Sequence, residues 1–199
     1  MTAVFAILAL SAAADDYADS KWKEETAKGN SPYHRVSMSD YKVVQNINGQ
    51  ADMRTWGFIH YSYTYHWHQD GKLVSVKITK MNIRSGFEGA KSLRRAGFSD
   101  ESLLVHEQHH LDINEIYADK FRKTKLPIGF GPDENVAIAD LKTKVDAIFT
   151  HNLNGAKAMQ AKYDKETEHS HNKHQQELWN KLIDNLLRNN DIKYAKNAH

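Results

Sequence analysis

Cysteine is missing from all 199 residues, which removes disulfide frameworks, thiolate zinc fingers, iron–sulfur clusters and cysteine nucleophiles together. An excess of charge of either sign is also missing. Lys plus Arg number 27 against 25 Asp plus Glu, so the chain carries no basic field of the kind that binds nucleic acid, and no nucleic-acid partner is expected. Apolar runs are short and the mean hydropathy is −0.70, which excludes a multi-span membrane protein and fits a globular one. No internal repeat or low-complexity tract is visible. The length fits one domain with a core of its own, without metal or disulfide staples needed merely to fold. One count stands out, twelve His.

The first residues, MTAVFAILALSAAA, form an apolar segment followed by small residues, with Ala12 and Ala14 placed as an A-x-A cleavage site. The stretch is too short to span a bilayer, so 1–14 is expected to be a signal peptide, one without a basic leading region, and the protein to be secreted or periplasmic. Residues 15–34 read as a polar tether and 35–199 as the folded domain.

From Tyr41 onward the hydropathy alternates with period two. Ile59, Tyr61, Tyr63, Tyr65 and Trp67 share one strand face, and His60, Ser62, Thr64, His66 and His68 share the opposite, solvated one. Gln69-Asp70-Gly71-Lys72 supplies turn chemistry, and Val74, Val76 and Ile78 resume the alternation, which predicts a β-hairpin joined by a strand near Tyr41 to Asn48. Such a hairpin could offer an edge to an extended substrate. Three helices follow. The first runs from about Glu101 to Lys125, stopped by Pro127 and Gly129; the second starts near Pro132 and Asp133 and continues past Gly155 toward Tyr163; the third begins near His171 with an apolar stripe from Leu178 to Leu187. The fold class expected is therefore α+β, an N-terminal antiparallel sheet packed on about three helices.

Inside the first helix stands His106-Glu107-Gln108-His109-His110, an H-E-x-x-H pattern. The step from i to i+4 turns through about 400°, so His106 and His110 project from one face where two imidazoles can share a zinc ion. Glu107 sits one step round, able to reach a metal-bound water as general base without binding the ion. A chain of this His and Glu content produces the pattern by chance roughly 0.04 times, so its presence carries weight. Apolar neighbours Leu103, Leu104, Leu111, Ile113 and Ile116 suit a half-buried central helix. His109, about 100° from His110 around the axis, is expected to be exposed. Tyr117, seven residues after His110 on the same face, is a weaker candidate to assist an oxyanion.

Two imidazoles leave a catalytic zinc one protein ligand short. The candidates lie in Tyr163-Asp164-Lys165-Glu166-Thr167-Glu168-His169-Ser170-His171. His169 is preferred, with Glu166, Asp164 and His171 as alternatives; Asp112 and Glu115 are candidates to orient a ligand from behind it, and Tyr163 a candidate near the reacting group.

The segment LLVHEQHHLDINEIYADKFR resembles the HEQ-x-HF-D-I signature of the DUF922 family, and YDKETEHSHNKHQQELWN resembles its second, a YD-x-ET-x-H segment followed by a polar helix carrying Gln and Trp. Leu111 stands where that family usually has Phe. The resemblance implies a secreted bacterial zinc-dependent protease with a zincin-like helix, His106 and His110 as ligands, Glu107 as acid/base and His169 across the site. The function expected is zinc-dependent hydrolysis of a peptide or protein, with one zinc per chain. The competing expectations are a non-catalytic zinc-binding protein and a cell-wall amidase using the same groups.

Overall fold

The structure, a computed structural model, describes residues 26–27, 29–47 and 51–194. The expected signal peptide and the first part of the tether lie outside the described residues. The α+β expectation holds: two small sheets and three long helices are present.

The alternating segment forms the longest strands, β4 (Gly57–Asp70) and β5 (Leu73–Glu88), paired antiparallel and joined at Gly71 and Lys72. Gly71 has φ +58, the left-handed conformation that a two-residue hairpin turn requires and glycine supplies without strain. Val74 and Val76 are fully buried, and Ile59 joins them in the core with Tyr61, Tyr63 and Tyr65 packed at its margin. Trp67 departs from the expected inner face, being 45% exposed. A bulge between Thr64 and Tyr65 offsets the register, and the hairpin tip outruns its cover.

Four short strands were hidden from periodicity. Asn30–Pro32 (β1), at the end of the presumed tether, pairs with the C-terminal end of β5, and Ile128–Gly131 (β7) pairs with its N-terminal end. The first helix ends at Arg122, short of the expected Lys125, and Gly129 belongs to the strand that follows Pro127. At Gly129 an added Cβ would meet Ala137 O at 2.2 Å, so the missing side chain is what lets the second helix lie directly on the strand. The strand expected near Tyr41 does not join the hairpin. Lys42–Val44 (β2) pairs in parallel with Leu93–Arg95 (β6), which also takes Met53–Arg54 (β3) to complete a separate three-stranded sheet. β1 and β7 occupy the outer edge of β5, and the strand near Tyr41 finds its partner in β6 instead.

The helices begin at side-chain caps. Asp100 accepts from Ser102 N at the start of α1 (Glu101–Arg122), Asp133 from Val136 N at α2 (Glu134–Thr167), and Asn172 from Gln175 N at α3 (Lys173–Asn189). α1 is the central helix. Its Ile113, Ile116, Ala118 and Phe121 are buried against the hairpin and α2, while Leu111 joins a second core with Tyr33, Tyr41, Met53 and Phe87 under the small sheet. In α3 the stripe splits, with Trp179, Ile183 and Leu187 buried and Leu178 and Leu182 exposed. No helix of the described residues is long and apolar enough to cross a membrane.

Candidate metal centre

Where α1 passes the C-terminal end of α2, three side chains converge. His106 and His110 project from one face of α1, and Asp164 reaches them from α2: its Oδ1 lies 3.2 Å from His106 Nε2 and 3.0 Å from His110 Nε2. For bonds of 2.0 to 2.1 Å in a tetrahedral site, neighbouring ligand atoms stand about 3.3 Å apart. The two Asp164–imidazole spacings are close to that value. Asp164 Oδ1 is buried, with the two imidazole nitrogens as its nearest polar neighbours, an acceptor whose remaining capacity a metal would satisfy. His169 Nδ1 stands 3.9 Å from the same oxygen, and His106, Asp164 and His169 form a group able to hold a metal ion, with ligand atoms within 4.8 Å of one another.

Each imidazole is held from behind by an amide. His106 Nδ1 lies 3.0 Å from Gln176 Oε1, and His110 Nδ1 lies 3.2 Å from Gln160 Oε1, itself tied through Nε2 to Asn114 Oδ1 at 2.8 Å. A carboxamide oxygen accepts only, so both rings place their proton on Nδ1 and keep Nε2 for the centre. Electrostatics follow the same geometry. Burial alone would raise the Asp164 carboxyl, but the His106 and His110 imidazoles outweigh it and hold the group well below the usual carboxylate range. Burial opposes charging of His110, and Asp164 with the nearby Glu107 charge outweighs that, lifting it above the ordinary imidazole value.

The centre opens into a cleft of about 640 Å³, lined by Glu107, His110, Asp164 and His169 on one side and by residues 51–55 on the other. Glu107 therefore sits beside the convergent ligands and faces the open space. His169 hangs at the mouth with its side chain 74% exposed. It is carried there by an unusual turn: Glu168, His169 and Ser170 have φ of 50, 52 and 73, three consecutive left-handed residues without a glycine, each costing about 1–3 kcal/mol. Hydrogen bonds from His169 N to Asp164 O and from Asn172 N to Thr167 O hold the turn.

Other candidates are placed elsewhere. Tyr163 is wholly buried, stacks on the His106 ring at 4.4 Å and donates to His106 O; burial pushes its phenol far above the ordinary value, and it backs the site without entering the cleft. Glu166 accepts from Trp179 Nε1 at 2.8 Å, pinning α3 to α2. Glu115 binds Arg122 and Ser85, joining α1 to β5. Tyr117 packs over Gly155 with Lys120 on its ring. Asp112 touches neither ligand but accepts from Tyr33 and Gln108. His109 is a correction: it is buried, with Nδ1 2.7 Å from Asp112 Oδ2 and Nε2 3.0 Å from Asn180 Oδ1, because α3 covers the face of α1 that two helices alone would leave open.

A family model describing bacterial proteins of unknown function, DUF922, matches residues 33–172, and the chain belongs to that family. Neither the curated proteins nor the solved structures contain a match. Gln176, visible in the sequence only as part of a polar helix carrying Gln and Trp and not as a site residue, lies just beyond the matched stretch. Its signal was a polar residue in register with the buried Trp179, Ile183 and Leu187 of an amphipathic helix.

Proposed function

We propose that the protein is a secreted or periplasmic zinc-dependent hydrolase acting on peptide bonds, with zinc held by His106, His110 and Asp164. The observation that carries this reading is that the Nε2 atoms of His106 and His110 both lie within 3.2 Å of one buried carboxylate oxygen of Asp164, beside Glu107 at the edge of an open cleft. Two imidazoles and a carboxylate are a donor set that catalytic zinc uses while leaving a position free. Bound there, the ion supplies Lewis acidity, polarising a carbonyl and lowering the pKa of water toward about 7. Glu107 takes the proton of the attacking water and returns it to the leaving nitrogen. Gln176 and Gln160 keep the two imidazoles in the tautomer that leaves Nε2 available.

A peptide substrate is favoured by β3. It lies at the edge of the three-stranded sheet, paired through β6. Residues 51–55 line the cleft beside it. An extended chain can pair there, a different edge from the hairpin suggested by periodicity.

The test is Glu107→Gln. It should retain about one zinc per chain and lose turnover of an unstructured protein such as casein by about 10²–10⁴-fold; equal turnover in the variant and wild type would sink the mechanism. One observation favours a second reading. If His169 also binds, the site has four protein ligands and is closed, which suits a structural or metal-handling protein. In that case His169→Ala would weaken zinc binding as much as Asp164→Ala. Cleavage of muropeptides but not casein would move the activity to a cell-wall amidase.

A further inference from the structure

Behind His106 the hydrogen bonds do not stop at one partner. Gln176 is buried on α3, and all of its polar contacts have distinct roles: Oε1 faces His106 Nδ1 at 3.0 Å, while Nε2 donates to Tyr163 Oη and to Asn180 Oδ1, both at 2.7 Å. The single hydroxyl hydrogen of Tyr163 goes to the His106 carbonyl, so Tyr163 Oη accepts from Gln176, which puts Nε2 on that side and Oε1 toward His106. Tyr163 passes the constraint on twice, stacking on the His106 ring and donating to the His106 carbonyl. Asn180, one helical turn beyond Gln176, contacts His109 Nε2, and His109 contacts Asp112. Asp112 is completely buried, and its Oδ1 also accepts from Tyr33, Gln108 and Tyr194. An unbroken line of side chains therefore runs from an anchored carboxylate to the imidazole facing Asp164.

We propose that Gln176 is a positioning residue of the metal centre, holding His106 with Nε2 toward the ion, and that Asn180, His109 and Asp112 hold Gln176. This rests on the reading that His106, His110 and Asp164 bind zinc. Its consequence is that α3, which gives no ligand, sets the affinity of the site. Gln160 plays the parallel part for His110 from α2, but it lines the cleft and stands in a shorter chain.

The experiment measures zinc affinity by competition with a chromophoric chelator, and the visible spectrum after cobalt substitution, for the full chain and its variants. Gln176→Leu should bind zinc about 10–100-fold more weakly, the range for loss of a partner behind a ligand, and should shift the cobalt bands. Gln176→Glu, which keeps an acceptor oxygen toward Nδ1, should recover most of the affinity, a rescue that a merely packing role would not produce. Wild-type affinity and an unchanged cobalt spectrum in Gln176→Leu overturn the proposal. Asp164→Ala separates the two levels: if it too binds as wild type, the metal reading itself has failed, whereas loss in Asp164→Ala alone removes only the role of Gln176. Should the leucine variant not fold, nitrogen-15 NMR of zinc-loaded wild type decides. The proposal requires the proton of His106 on Nδ1 and the metal on Nε2, and the opposite arrangement overturns it.

Discussion

Asp164 Oδ1 stands 3.0 Å from His110 Nε2, although the two residues are 54 positions apart and belong to different helices. Asp164 approaches His106 and His110 together from the far end of a 34-residue helix, so the crossing of α1 and α2 determines whether a third ligand is present. Among the polar residues around Tyr163, Asp164 alone is brought within 3.2 Å of both imidazoles.

Asp164→Ala should therefore weaken zinc binding by more than about 100-fold, beyond the range for partners behind a ligand. Glu166→Gln, which alters the contacts with Trp179 and Lys162 and none with the imidazoles, should leave zinc affinity within about threefold. Chelator competition on both variants checks this. Equal affinities would return the choice of ligand to His169.

The metal-free protein should have a pH window of greatest stability. The folded pKa of His110 is raised above its ordinary 6.5, so its contribution is complete below 6.5 and is lost as pH rises through the higher folded value. Asp164 is lowered below 3.8, so its contribution is complete above 3.8 and is lost as pH falls through the lower folded value. Urea unfolding of metal-free protein should show the pair's full effect between about pH 4 and 6.5. In Asp164→Asn that component should flatten; an unchanged profile would contradict the pairing.

Glu115→Ala should separate stability from chemistry. The carboxylate is buried, accepts from Ser85 and is paired with the Arg122 guanidinium, and a charge-assisted bond of this kind contributes about 1.5–3 kcal/mol. Denaturant titration should register a loss of that order, while the zinc-loaded protein keeps its metal. Loss of metal without loss of stability would place Glu115 closer to the centre than its partners do.

Gly129→Ala probes the seat of α2. The added methyl meets backbone, Ala137 O at 2.2 Å, which cannot rotate away, so helix and strand must part at a cost of about 1–3 kcal/mol. A melting temperature equal to wild type would show the contact to be looser than the structure has it.

The sequence by itself determined what depends on local spacing. Period two produced the hairpin, Asp133 marked a helix start, and four-residue spacing put His106 and His110 on one face with Glu107 beside them. Those relations follow from backbone geometry within one element. Only the tertiary structure decided the rest. β1, β6 and β7 are three or four residues long and exist because neighbouring edges pair with them, too short to leave a period. His109 is buried because α3 lies over it, and Gln176 meets His106 across 70 residues. The choice of Asp164 over its neighbours turns on where the last turn of a long helix points, and on a left-handed turn through Glu168, His169 and Ser170 that no residue type there announces. Contacts between elements are fixed by packing of the whole core, and packing is a property of all the surfaces at once.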